Sequence, residues 1–534
     1  MEKLERFITA HLELGEWTVD ETGVYKSGKN DGRLYASYIP IVPYAILVNK
    51  DTGIEKVDLA FFKNNRWNHV ITDRSIVASQ NKIVLLADKG IEVSSVTART
   101  LVEYIYSVTA RSLDKLQTRV AKTVMGWDEE DGKLRFMPYT KDLVFDGEEN
   151  FKYLHRSISR KGTLQEWVDF FRPLRNNLAF RLTMAASFAS PLIQLVGENS
   201  FVYLLRGGTG SGKTVALMCA MSIFGDPSMG KMTRTMNMTT NSMLTTASFL
   251  NNLPFGGDEL QTIKSRWQNY DQLVMCVTEG IDRGRMRGTE MTETKSWRCS
   301  FVFTGEDSIV KANSGAGAKN RCIEVETMSK LIEDGNATAN FVREHYGCAG
   351  REYIASVMEQ ADTLRTEYSR IVKDLLLLPI ATTDKQAGAM ALILLGDRIA
   401  SELFWAGEEQ IQYKEIERYL APSVEVDISE RAYDYICDII SANNANFGEE
   451  ARICWGEKSG DSVYINRTIL VEQLNNAGYD FNAVRSAWAE NGYITKCADG
   501  KYRHMKRINR ISTSCILLNL GRQGSRQGEE VDII

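Results

Sequence analysis

Across 534 residues the sequence has no C-x-x-C pair and its five histidines stand alone, so neither a disulfide framework nor zinc-ligand spacing is expected. The nine scattered cysteines read as buried, reduced thiols. No apolar run reaches the roughly 18 residues needed to span a bilayer, and no N-terminal basic-then-apolar segment has the pattern of a signal peptide. No membrane association is expected, and the chain reads as cytoplasmic. An excess of one charge is also missing. Lys+Arg 64 against Asp+Glu 69 gives a net charge of −5, which excludes an overall basic, histone-like mode of nucleic-acid binding and leaves any such contact to local patches. There is no internal repeat and no extended low-complexity tract.

What the chain does have is apolar content, 43%, enough to give about two to four domains a core each. Residues 34–96 alternate apolar and polar over short runs such as Ile46-Leu47-Val48 and Lys82-Ile83-Val84-Leu85-Leu86, with turn-like breaks, which predicts a β-rich unit. A helix is expected over 96–120, followed by a connector opening at Gly126-Trp127-Asp128. Helical spacing over 163–196 leads into a buried strand, Phe201-Val202-Tyr203-Leu204-Leu205. Strands and helices then alternate to about Val325, the pattern of a parallel sheet covered by helices. Long amphipathic helices over 349–376 and 385–405 suggest a helical lid. Helices at 466–477 and 481–491, then strands near 493–495 and 502–506, suggest a winged helix. The expected division is 1–125 β-rich domain, 126–160 connector, 161–335 α/β core, 336–425 helical lid, 426–520 winged-helix domain and 521–534 disordered tail.

The chemistry concentrates where the strand at 201–205 runs into Gly207-Gly208-Thr209-Gly210-Ser211-Gly212-Lys213-Thr214 and then an apolar helix. This is G-x-x-x-x-G-K-T in its strand, loop, helix context, the P-loop of nucleotide hydrolases. Glycines let successive backbone N–H groups curl around phosphate oxygens, and the helix N-terminus adds a positive dipole. On that reading Lys213 sits on the β- and γ-phosphates of ATP and Thr214 on Mg²⁺. About 45 residues further on, Gly256-Gly257-Asp258-Glu259 offers an acidic pair, Asp258 to hold Mg²⁺ and Glu259 to polarise the attacking water. Two glycines stand where apolar residues are usual, which weakens the strand and leaves the register open by one position; an acidic surface turn is the alternative.

A third apolar strand, Ser300-Phe301-Val302-Phe303-Thr304, ends in a hydroxyl suited to sensing the γ-phosphate; Thr304 capping a helix that starts near Glu306 is the competing reading. Arg321 ends the glycine-rich connection before Cys322-Ile323-Glu324-Val325, from where it can reach the γ-phosphate of a neighbouring subunit, unless it is a surface ion-pair residue. Two basic patches are candidates for DNA. Arg283, Arg285 and Arg287 alternate with glycine and methionine in a turn-rich segment, suited to tracking phosphates without reading bases. Lys501, Arg503, Lys506 and Arg507 alternate with apolar residues, as in a wing lying along a DNA backbone. In either place a merely solvated basic face is the alternative.

In this order, Leu59-Ala60-Phe61 with Arg66-Trp67, Leu86-Ala87-Asp88-Lys89-Gly90-Ile91, Met125-Gly126-Trp127, Ala186-Ser187-Phe188-Ala189-Ser190-Pro191-Leu192, the P-loop, Asp258-Glu259, residues 297–306 and Gly317-Ala318-Lys319-Asn320-Arg321 resemble the MCM-like AAA+ helicases of the Cch type. These are carried by staphylococcal cassette chromosome elements and related mobile elements and phages. The resemblance covers about 34–519 and departs from the pattern at Gly256-Gly257 and Gly207-Gly208-Thr209. It implies a homo-oligomeric, hexameric AAA+ ring that unwinds DNA with ATP and Mg²⁺ during replication of a mobile element, with possible loading partners. Two rivals remain: a remodeller of proteins or nucleoproteins, expected to carry aromatic channel residues, and an ATP-gated origin-binding module, for which Glu259 and Arg321 would be superfluous.

Overall fold

The computed structural model describes residues 2–28, 32–263, 270–282, 286–287, 290–291, 294–310, 314–448, 451, 453–497, 500–508 and 511–521. Three large apolar cores organise them, drawing on residues 4–116, 125–420 and 432–518. The N-terminal strands are β1 (Trp17–Asp20), β2 (Gly23–Ser27), β3 (Arg33–Ser37), β4 (Ile41–Asn49), β5 (Glu55–Lys63), β6 (Arg66–Asp73) and β7 (Gln117–Lys122). A hairpin follows, β8 (Gly126–Glu130) with β9 (Lys133–Met137), and then β10 (Leu143–Phe145). β1-β2-β3 form one sheet and β10-β7-β4-β5-β6 another. Central β4 is almost wholly buried, and its Pro43, which has no N–H to give the ladder, sits at a shift of register against β5.

The helix expected over 96–120 is shorter. It runs Ala98–Arg111, burying Leu101, Tyr104, Ile105 and Val108 along one face, and the Tyr104 hydroxyl donates to the Ile41 carbonyl at 2.7 Å. Residues 117–122 are instead strand β7, paired in parallel with both β4 and β10. Filling the gap between two strands outweighed a helical pattern that had already lost its apolar stripe after Leu116.

The second core surrounds a five-stranded sheet, all parallel: β11 (Phe201–Gly207), β12 (Thr233–Thr235), β13 (Phe255–Asp258) and, after a short ribbon of β14 (Met286–Arg287) and β15 (Glu290–Met291), β16 (Ser300–Gly305) and β17 (Cys322–Thr327). Its order is β12-β13-β16-β11-β17. β11, β13 and β16 read as unbroken buried runs because helices cover both faces of such a sheet. The Ala186 to Leu192 motif has a packing reason. Ser187 donates to the Ala220 carbonyl at 2.8 Å, and Ser190 accepts from Ser300 N at 3.0 Å, tying this turn to a neighbouring helix and to the start of β16. The helix Asp384–Phe404 comes so close that a Cβ on Gly396 would meet Ala189 N at 2.9 Å. Buried Arg175 and half-buried Arg181 share the Asp397 carboxylate of that helix, pinning the helical region to the core.

The third core holds the helix Ile428–Ala442, strands β18 (Gly456–Ser459) and β19 (Ser462–Asn466), helices Arg467–Asn476 and Phe481–Glu490, and strands β20 (His504–Ile508) and β21 (Ile511–Asn519), in sheet order β18-β19-β21-β20. The hairpin lies later than expected: Ile494 makes only an isolated bridge, to Leu518, and 504–508 pairs with 511–519. Among the described residues no helix is long and apolar enough to cross a membrane. The expected tail at 521–534 lies outside the described residues, apart from Gly521.

Candidate functional site

The glycine-rich loop leaves β11 at its C-terminal edge, where open α/β sheets bind ligands. Gly210 and Gly212 adopt φ of 79° and 91°, a region costly for any residue with a Cβ, and Gly212 caps the helix Lys213–Met221. Gly207 is needed for space, because a Cβ there would lie 2.7 Å from the Thr327 carbonyl; beside Gly208 and Gly210 the space is open. The Lys213 ammonium donates to the carbonyls of Gly207 at 2.8 Å and Gly208 at 2.7 Å, which folds it back over the loop. Burial pulls its pKa below the usual lysine value, while the Glu306 and Asp258 carboxylates oppose that shift.

Thr214, the next residue, donates to Asp258 Oδ1 at 3.0 Å, and Thr304 donates to the same oxygen. Asp258 is 5% exposed, and the hydrogen-bond partners of its carboxylate among the described residues are these two hydroxyls. Thr304 also accepts from Glu259 N, at 3.4 Å. No described helix begins near Glu306, so a capping role for Thr304 is not what the fold provides. Exposed Glu259 holds φ at 59°, a left-handed conformation costing a non-glycine residue about 1 kcal/mol, and such strain persists where neighbours over-determine it. Lys213, Thr214, Asp258, Glu259 and Thr304 are thus gathered at one edge of the sheet.

The glycine pair in β13 is a packing requirement. A Cβ on Gly256 would meet Met221 Sδ at 2.6 Å, and one on Gly257 would meet the Phe303 ring at 2.7 Å. Glu306 belongs to the site and was not singled out from the sequence: its carboxylate accepts from the Thr209 hydroxyl inside the loop. The only signal was an acid two residues beyond Thr304.

Arg321 lies elsewhere. It precedes β17, and the register of that strand on β11 pairs Cys322 with Val202 but Thr327 with Gly207. The arginine is therefore about 20 Å from the loop, at roughly 3.3 Å per strand residue, and its guanidinium rests on Met275 Sδ.

Of the DNA candidates, Arg283 and Arg285 lie outside the described residues and only the backbone of Arg287 is described, in the β14–β15 ribbon. The stem is antiparallel: Ile281 bridges Ser296, and Asp282 N donates to the Lys295 carbonyl at 2.8 Å. In the C-terminal hairpin Lys506 is already engaged, 3.1 Å from Glu457 and 4.5 Å over the Tyr464 ring. Lys501, Arg503 and Arg507 are exposed, and Arg503 donates to Ser514 Oγ at 2.7 Å.

Fold and site define a mixed α/β protein with a β-rich N-terminal region, a parallel-sheet core carrying a glycine-rich loop, and a helical C-terminal part. The chain belongs to the DUF927 family, whose model, a domain of unknown function, matches residues 17–298, more than half of its length. Residues 427–523 match a second model, described as a Cch helix turn helix domain. The fold is similar to that of a solved structure titled "SCCmec type IV Cch - active helicase", at a TM-score of 0.73 and 18% identity over 95% of this chain and 98% of that one. A JCV helicase bound to a small molecule aligns with a TM-score of only 0.21, at 13% identity over 45% of this chain and 76% of that one, and carries no argument. No curated protein matches the chain. The Cch resemblance read from the sequence is borne out in the whole fold and in the C-terminal domain.

Proposed function

We propose that the chain is an ATP-dependent DNA helicase of the AAA+ type, acting as a hexameric ring in replication of a mobile element. The observation that carries this reading is the convergence of Lys213, Thr214, Asp258 and Thr304 at the C-terminal edge of a parallel sheet, beside a loop whose glycines leave room for phosphate. The residues suit ATP with Mg²⁺: Asp258 is a buried carboxylate whose described hydrogen-bond partners are hydroxyls, so its charge matches a divalent cation held with Thr214. Thr214 and Asp258 would hold the Mg²⁺, which would supply neutralisation of phosphate charge there.

The remaining roles belong to the chain's own side chains. Backbone N–H groups of 208–214 and the Lys213 ammonium bind and orient the phosphates, Glu259 polarises the attacking water, and Thr304 orients Asp258 and senses the γ-phosphate. Arg321, about 20 Å away at the other edge of the sheet, acts on a neighbouring copy's nucleotide, which is why a ring is part of the proposal. Contacts with the DNA backbone are assigned to Arg283, Arg285 and Arg287 and, from the C-terminal domain, to Lys501, Arg503 and Arg507. Lys506, engaged by Glu457, is the weakest of that set.

Strand displacement tests the reading. With ATP and Mg²⁺ the protein should separate a labelled forked duplex at micromolar concentration or below, and Arg503→Gln with Arg507→Gln should weaken duplex binding several-fold while sparing DNA-independent ATP turnover. No displacement of any forked, tailed or bubble substrate would contradict it.

A further inference from the structure

A cleft of about 740 Å³ opens between the N-terminal sheet and the parallel-sheet core, at the far end of the helix Lys213–Met221 from its phosphate loop. Five lining side chains are cationic: Arg119 on β7, Lys152 and Arg156 on the helix Glu149–Ser157, Arg160, and Arg351 on the helix Cys348–Glu359. None of the residues that line it carries a carboxylate. In a chain of net charge −5 this is a local reversal of sign. Arg119 is half-buried and 4.0 Å from Asp58, which neutralises part of its charge; Arg156, Arg160 and Arg351 are exposed.

We propose that this cleft binds the phosphodiester backbone of single-stranded DNA, at a site separate from the phosphate loop and from the C-terminal domain. The choice of DNA over other polyanions rests on the function proposed above; the cationic chemistry does not. The volume falls in the roughly 300–1,000 Å³ range of small-ligand sites, which suits a few nucleotides of one strand and not a duplex. Aromatic faces sit among the cations. Tyr139 stacks on Phe136 at 5.8 Å with the Arg351 guanidinium 5.6 Å over its ring, and His155 stacks on Phe145 at 4.4 Å. Burial, and then the charge of Arg156, push the His155 pKa down, which favours the neutral ring. Cations interleaved with rings are what a single strand uses for backbone and base contacts.

The walls are tied to the nucleotide site. Gly347 N donates to the Ser222 carbonyl at 2.7 Å, Gly350 N to that of Ile223 at 2.8 Å, and Asp226 N to that of Ser157 at 2.8 Å, all just past the end of the helix that Lys213 begins. These bonds join the walls of the cleft to the chain leaving that helix, which is about 13 Å long.

The test is equilibrium binding of a labelled oligodeoxythymidylate to the full chain without ATP, across a salt series, comparing wild type with Arg156→Gln/Arg160→Gln and with Arg156→Lys/Arg160→Lys. The glutamine pair should lose about tenfold in affinity and reduce the log–log salt slope by about 1.4, at roughly 0.7 per phosphate contact, while the lysine pair keeps the wild-type slope. ATP turnover without DNA should be the same in all three. Unchanged affinity and slope in the glutamine pair would overturn the site. So would displacement of the strand by inorganic tripolyphosphate as readily as by unlabelled oligonucleotide at equal phosphate, which would mark a small-anion pocket. No turnover is needed, so a chain that binds through the cleft but hydrolyses ATP indifferently to DNA contradicts the translocase reading alone.

Discussion

Replacing Lys213 with alanine should lower ATP turnover by on the order of 10²–10³-fold, the usual effect of deleting one electrostatic contact to a developing transition state. The ammonium lies over the loop with carbonyl partners at 2.7 and 2.8 Å, so it is already held where phosphate charge would develop. Its pKa is pulled down by burial yet supported by Glu306 and Asp258. A lowered lysine pKa costs binding as pH rises through it, so wild-type turnover should also fall on the alkaline side, and that limb should vanish with the side chain. Thermal stability should hardly change, since the amine's partners are loop carbonyls near solvent. Steady-state phosphate release over a pH series, alongside a melting curve, measures both. Turnover surviving the substitution would show that the loop is not the phosphate site.

Arg321→Ala should reduce turnover by on the order of 10³-fold, the lower end for a transition-state arginine, and leave nucleotide binding intact. The register of β17 on β11 puts this arginine at the opposite edge of the sheet from Gly207, so it cannot serve its own loop. Mixing separates this role from simple packing on Met275. Lys213→Ala and Arg321→Ala subunits, each nearly inactive, should regain activity together, because one of the mixed interfaces combines an intact Lys213 with an intact Arg321. A purely structural arginine would give no recovery at any ratio. The readout is phosphate release against mixing ratio at fixed total protein.

Contiguity governed how much of this was legible in the sequence. The glycine-rich loop needs eight adjacent residues with glycines at special φ, so residues 207–214 carried their own signal. Thr304 could be anticipated because it closes a short buried strand, and its register beside Leu205 brings it to the same edge. The glycine pair before Asp258 looked like a weakness of β13, because its cause is remote: Met221 and Phe303 occupy the space a side chain would take. Glu306 was missed since its partner, Thr209, is 97 positions away. The cationic cleft was invisible for the same reason, being assembled from residues spread between 119 and 351.

Local pattern also misled where tertiary pairing decided. The helical expectation over 96–120 ran into β7, whose identity is fixed by β4 and β10 rather than by its own residues. In the C-terminal domain the strand expected at 493–495 is a single bridge, and the hairpin of β18 and β19 gave no strong alternation to find. Lys506 looked like one more phosphate contact, but Glu457, 49 residues earlier and on another strand, takes its charge.

The most direct measurement is the rate of ATP hydrolysis by the full chain as single-stranded DNA is titrated in at fixed ATP and Mg²⁺. A motor that moves on DNA should show a saturable rise of several-fold or more, absent in Lys213→Ala; a rate that stays flat through saturating DNA would contradict a DNA translocase.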